Sequence, residues 1–201
     1  MKFNKNINKQ KYKIAFYQAG MTYAELIVVL SIFSIMSAIV LFNYGEFQAR
    51  VEIKNLAHDI ALKIVEAQKT AINGVIPIKD IRLIPPWKPA YGIYFSTITS
   101  NTSFVCFVDL NQDGFDSDGS FCNTSGFTDE CISKVSITKG NYISNMTVYY
   151  SNLSPELKTD LSLVFKRPNS GVIISSNNLI LSGISYVEIT INSPGGVTSK
   201  I

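Results

Sequence analysis

The spacing of apolar residues divides the chain into three stretches with different periodicity. Residues 26–42 are uncharged and almost entirely apolar, whereas residues 53–71 place apolar side chains every three or four positions. The first pattern is typical of a helix surrounded by lipid or protein, and the second of an amphipathic helix. From residue 75 the pattern changes to short alternating segments, which predict strands. The expected fold class is α+β: a long N-terminal α-helix, membrane-spanning in its first half, packed on a C-terminal antiparallel β-sheet or sandwich domain.

The helix is predicted to run from about residue 21 to residue 72, because Asn73-Gly74 supplies a stop signal. Its 17 uncharged residues form a helix about 25 Å long, close to the hydrocarbon thickness of a bilayer. We therefore predict a transmembrane segment at 24–44. The face expected to pack on the chain's own domain consists of Ile53, Leu56, Ala57, Ile60, Ile64, Ala67 and Ala71.

Residues 75–201 are long enough for one antiparallel β domain. Segment 103–108 is apolar at nearly every position, which predicts a central strand covered on both faces. The other predicted strands alternate or are short, and they lie at residues 91–95, 161–165, 171–174, 179–181 and 186–192.

The positive charge of the chain is confined to its N-terminus. Residues 1–20 carry five lysines and no acid, whereas the other 181 residues carry 13 basic and 15 acidic side chains. Lysine-rich flanks stay in the cytoplasm, so the C-terminal bulk is expected on the outer side of the membrane. The slightly acidic body gives no support to a broad nucleic-acid surface, and nucleic acid is not a favoured partner.

The small residue that ends the basic leader precedes the apolar run. In a secretory signal peptide the small-residue cut site follows the apolar core. Here Gly20 comes first and Glu25 is the fifth residue after it. This order resembles the prepilin signal of type IV pilins and type II secretion pseudopilins, which a peptidase cuts directly after the glycine. Thr22 agrees with the family, whereas Met21 stands where Phe is usual.

The resemblance implies a processed structural subunit and no enzymatic activity. A prepilin peptidase would remove residues 1–20 and leave a stalk helix at 21–74 and a β domain at 75–201, with Met21 N-methylated. In the family, the Glu pairs with the free amine of a neighbouring subunit, which here assigns Glu25 to assembly. A carboxylate in a membrane helix costs up to about 3 kcal/mol, so it needs such a partner. The alternative is a Glu among the headgroups of a plain signal anchor.

The order of motifs in the β domain resembles the H-type, FimT-like minor pseudopilins. The segments concerned are Tyr91-Gly-Ile-Tyr, Phe107-Val-Asp-Leu-Asn, Phe165-Lys-Arg-Pro and a terminal strand followed by Gly-Gly. The implied partners are other subunits, the peptidase, an inner-membrane assembly platform and membrane lipid. The implied location is the cytoplasmic membrane in a single pass, then a pilus, a secretion pseudopilus or the cell surface. The alternative function is a membrane-anchored binding module for DNA, sugar or another ligand.

An acidic segment after the predicted central strand has the alternating oxygen donors of a calcium loop. An EF-hand is not expected, because Ser120 occupies the position of the bidentate Glu. The segments on either side of the loop are also predicted to be strands and not helices. The open alternatives are a looser calcium site and a solvated turn stabilised by Asx side chains. The candidate ligands are Asp109, Asn111, Asp113, Asp116 and Asp118.

The three cysteines allow one disulfide in an exported domain. Cys122–Cys131 is the preferred pair, because Cys106 lies in a predicted core strand, although all three pairings stay open. His58 is the only histidine of the chain and lies on the predicted stalk. Nucleophile–histidine pairs are therefore not expected, in line with a non-enzyme.

Overall fold

The computed structural model describes residues 20–76, 88–116, 122, 130–152, 154–168 and 171–201. The chain divides into two compact units, Met1–Tyr44 and Gly45–Ile201. Helix α1, Tyr23–Asn73, begins in the first unit and ends in the second. Gly74 adopts a positive φ of 68° directly after the helix, which confirms the stop signal.

In the part of the chain that the structure describes, ten strands follow the helix and form two antiparallel sheets, so the fold class is α+β. The strands are β1 Ala90–Ser96, β2 Ser100–Val108, β3 Cys131–Ser136, β4 Tyr142–Tyr150, β5 Pro155–Lys158, β6 Asp160–Lys166, β7 Val172–Ser176, β8 Leu179–Ile180, β9 Ile184–Asn192 and β10 Thr198–Lys200. The six-stranded sheet has the order β3-β2-β1-β6-β7-β8, and the four-stranded sheet has the order β10-β9-β4-β5.

The main core of the second unit contains residues from the helix and from both sheets. Ile53 and Ile60 of α1 are fully buried there, and Leu56, Ala57 and Ile64 pack against the cluster. The predicted packing face of the helix is therefore confirmed. The six-stranded sheet contributes side chains such as Phe95 and Phe104, and the four-stranded sheet contributes others such as Met146 and Ile189.

The opposite face of the six-stranded sheet has its own smaller cluster. It comprises Ala90, Val105, Phe107, Cys131 and Val164, with Tyr94, Cys122 and Ile173 at its margin. Along β1 and β2 the buried side chains alternate between the two faces, because successive residues of a strand point to opposite faces. Some join this cluster or the main core, whereas Tyr91 and Val108 form a third cluster with Ala71 and Phe165. This confirms the prediction that segment 103–108 is apolar on both faces, and β2 has a neighbour on each side.

The segment after β2 covers part of this second face. The hydroxyl of Ser175 on β7 donates a hydrogen bond of 2.7 Å to the carbonyl oxygen of Gly114. A β-carbon on Gly114 would lie 3.2 Å from Cγ2 of Ile173, so the loop backbone passes close over β7. The acidic segment is thus a packed part of the domain.

Candidate functional site

The predicted cleavage point lies in exposed backbone ahead of the helix. Gly20, Met21 and Thr22 are non-helical, and Met21 is 64% exposed. Apart from Gly20 and its two chain neighbours, no atom of the described residues lies within 4 Å of the position that a β-carbon on Gly20 would take. Gly20 and Met21 are thus both exposed, and the basic leader 1–19 lies outside the described residues.

Glu25 caps the start of α1 through Thr22. The backbone N–H of Thr22 donates to Oε2 of Glu25 at 2.8 Å, and the Thr22 hydroxyl donates to the same oxygen at 2.9 Å. The Glu25 N–H in turn points at the Thr22 hydroxyl oxygen at 3.3 Å. This reciprocal arrangement is a capping box, which satisfies backbone donors that a helix N-terminus leaves unpaired.

This second role of Glu25 was not predicted from the sequence. The signal was present, because Thr22-Tyr-Ala-Glu25 ahead of an apolar run is the capping-box pattern. The cap explains why α1 begins at Tyr23. Both bonds from Thr22 end on Oε2, so they leave the lone pairs of Oε1 for a further donor.

The helix after Glu25 exposes apolar side chains all round its circumference. The exposed fractions run from 45% at Leu26 to 87% at Phe42. Two serine hydroxyls in this segment are bonded to the backbone of the helix itself. Ser31 donates to the Val28 carbonyl oxygen at 2.7 Å, and Ser34 donates to the Leu30 carbonyl oxygen at 2.8 Å. By length and composition α1 is a candidate membrane-spanning helix, with a mean hydropathy of 2.5 in its most apolar window.

In the acidic segment after β2, side-chain oxygens of Asp and Asn residues accept hydrogen bonds from backbone N–H groups of the same segment. Buried Asp109 accepts bonds of 3.1 Å from the N–H groups of Asp113 and Gly114. Asn111 also accepts from the Asp113 N–H at 3.0 Å, and Asp113 accepts from the Phe115 N–H at 3.1 Å. The turn is therefore stabilised by Asx side chains, one of the two alternatives that the sequence left open.

A second buried carboxylate, Glu130, lies beside Asp109. Glu130 is 2% exposed and accepts a 2.9 Å hydrogen bond from the Leu110 N–H. Desolvation by burial, followed by repulsion from Glu130, raises the pKa of Asp109 to about 6, although the N–H of Gly114 opposes the shift. Glu130 was not predicted from the sequence, because only the pairing of β2 with β3 brings it next to Asp109.

The calcium prediction stays open. Within the described ranges, no group of three His, Cys, Asp or Glu side chains is arranged to hold a metal ion. Asp116 is buried at the end of the described loop, and Asp118 lies outside the described residues.

Ionisation of Asp109 is expected to destabilise the fold between about pH 4 and pH 6. Because its folded pKa of about 6 exceeds the ordinary value, the protonated form contributes stability that is present below about pH 4 and lost as pH rises through 6. Glu130→Gln removes the neighbouring charge and keeps an oxygen for Leu110. The variant should lose less stability over this range than the native chain, by on the order of 1 kcal/mol. Thermal unfolding of the full chain in mild detergent tests this, and equal pH dependence in both proteins contradicts it.

Cys122 and Cys131 form a disulfide, with their Cα atoms 5.3 Å apart. It attaches Cys122 of the loop after β2 to the first residue of β3, beside the smaller cluster. Cys106 is a free, partly buried thiol whose pKa is raised by burial. The pair is the one that the sequence favoured.

Comparison with known proteins gives no matching family model, no matching characterised relative and no matching solved structure.

Proposed function

We propose that this chain is a structural subunit, a minor pilin or pseudopilin, that assembles through its N-terminal helix into a type IV pilus or a type II secretion pseudopilus. The observation that carries the proposal is the order of three features. An accessible glycine is followed by a lone carboxylate at the start of the helix, and then by a helix surface that is apolar on every side.

The apolar half of α1 requires an environment that the chain does not supply. Burial of apolar side chains contributes roughly 25 cal/mol per Å², so an exposed run of this length is strongly unfavourable in water. In our proposal the membrane covers residues 24–44 before assembly, and neighbouring helices cover them afterwards. The lysine-rich leader holds the N-terminus in the cytoplasm, and the β domain, whose two sheets form a sandwich, lies outside.

Glu25 has a defined task in this proposal. Cleavage after Gly20 creates a positively charged α-amino group on Met21, where N-methylation follows. A carboxylate in an apolar environment gains most from a charged hydrogen-bond partner. The Glu25 carboxylate keeps its cap on Thr22 and accepts the amine of a neighbouring subunit at Oε1, which fixes the register between two helices.

The proposal is tested in cells that make such filaments and contain a prepilin peptidase. The native chain should be shortened and recovered in the sheared filament fraction, and Gly20→Leu should stay full-length in the membrane. Met21→Phe is the matched control, because it changes the adjacent residue to the one usual in the family and should still be processed. Native chain that is processed but absent from filaments would favour an anchored binding module.

A further inference from the structure

The second half of α1 has a second apolar surface, on the side away from the core. We call it the outer stripe and define it as Val51, Leu62, Val65 and Ile72. These side chains are 40%, 65%, 41% and 45% exposed, although Ile53 and Ile60 of the same helix are buried. The core of the β domain therefore leaves the outer stripe uncovered, and the whole stripe lies within the unit Gly45–Ile201.

The spacing of the outer stripe is that of a coiled-coil seam. Val51, Val65 and Ile72 fall on one heptad position, and the exposed His58 occupies the remaining place in that series. Leu62 lies four residues after His58, at the second seam position, where exposed Asn55 precedes it by seven and exposed Lys69 follows it by seven. A heptad repeat keeps one line of side chains facing a partner helix, and polar residues in the seam weaken pairing and specify its register.

Three acidic residues border the outer stripe on one side, and a single lysine borders it on the other. Glu52, Asp59 and Glu66 lie along one border at intervals of seven, and Lys54 lies on the other. Glu52 pairs with Lys139 at 2.8 Å and Glu66 with Lys63 at 2.7 Å. Lys54 and Asp59 form no ion pair with any residue in the described part of the chain.

These borders distinguish between the two orientations of a second copy. When two such helices lie parallel with their outer stripes facing, the border of each helix that carries Lys54 meets the acidic border of the other helix. In the antiparallel arrangement, like borders meet and repel. Lys54 precedes Asp59 by five residues, the offset at which opposite borders of parallel helices meet across a coiled-coil seam.

We propose that the outer stripe binds the outer stripe of a second copy of this chain, with the two helices parallel and Lys54 of each facing Asp59 of the other. This inference rests on the proposed function, because subunits inserted in one direction in a membrane present their helices in parallel. It places a subunit contact on the amphipathic half of α1, separate from the apolar half that carries Glu25.

The test uses the full-length chain in its host membrane, with a photo-reactive residue at position 62. The adduct should have twice the mass of the chain. The controls carry the photo-reactive residue at Ile98 or Leu157, which are 77% and 68% exposed on the β domain, and they should give little of this adduct.

Charge reversal tests the orientation. Lys54→Glu and Asp59→Lys should each lower the yield of the position-62 adduct about two- to five-fold, and the double variant should restore it. An adduct with lipid alone, with a protein of another mass, or equally strong from the control positions overturns the inference. Failure of the double variant to restore the yield overturns the parallel pairing.

The same experiment separates this inference from the proposed function. In a Glu25→Gln chain, which we expect to be absent from filaments, the position-62 adduct should persist in the membrane. If filaments form normally without that adduct, the pairing of outer stripes is refuted and the proposed function is not. A native chain, with Glu25 intact, that forms the adduct but is never incorporated into filaments refutes the assembly role alone.

Discussion

Replacing Glu25 by Gln is expected to abolish filament incorporation and leave the helix and its membrane insertion intact. The Gln amide oxygen can accept the bond from the Thr22 N–H, since Gln also serves in capping boxes. Only the negative charge is lost. A hydrogen bond between charged groups contributes about 1.5–3 kcal/mol, so its loss should lower incorporation by at least about tenfold.

Two further variants separate the charge of Glu25 from its cap. Glu25→Ala removes both and should fail to assemble in the same way. Thr22→Ala removes the hydroxyl that Glu25 contacts and keeps the carboxylate, so it should cost about 1 kcal/mol of helix stability and preserve most incorporation. The measurement is the amount of chain in sheared filaments relative to the membrane. If Glu25→Gln assembles like the native chain, the carboxylate serves the cap alone.

Ile60→Ala is expected to lower the free energy of unfolding of the β domain by about 2–5 kcal/mol. Ile60 is 0% exposed in the main core, and its truncation loses buried apolar area and leaves a cavity among side chains of both sheets. The matched control is Leu62→Ala, two residues later on the same helix, where the side chain is 65% exposed. Its effect should stay within about 0.5 kcal/mol.

Urea unfolding of the full chain in mild detergent, followed by circular dichroism of the β domain, measures both variants. A large loss for Ile60→Ala with none for Leu62→Ala locates the packed face of the helix. Equal losses would contradict the assignment of Leu62 to an exposed surface. Leu62→Ala also bears on the outer stripe, because it should weaken contact between copies without destabilising the chain.

The helix and six of the ten strands were predictable because their side chains follow regular periods. Strand β4 was not predicted, although it pairs with β9 along most of its length. Its pairing shifts between Ile143 and Asn145, and such a bulge breaks the period-two pattern from which a strand is recognised. Strand β3 was missed because most of its side chains are exposed or polar, as befits the edge of a sheet.

The candidate site was predictable where its signal is local in sequence. Glu25 is the fifth residue after Gly20, and the order of the two residues ahead of the apolar run is visible in the sequence itself. The contact of Asp109 with Glu130 depends on how β2 pairs with β3, which no local pattern encodes. The outer stripe was not predicted for another reason. Charged residues stand between its members in the sequence, so the four apolar positions do not form an evident second apolar face.

The N-terminus of the mature protein tests the central claim most directly. Mass spectrometry of the chain recovered from its own membranes or filaments should show a polypeptide that begins at Met21, unmodified or carrying one methyl group, with the whole of α1 still attached. A chain that retains Met1, or one that begins beyond Phe42 after loss of the apolar run, would contradict the account.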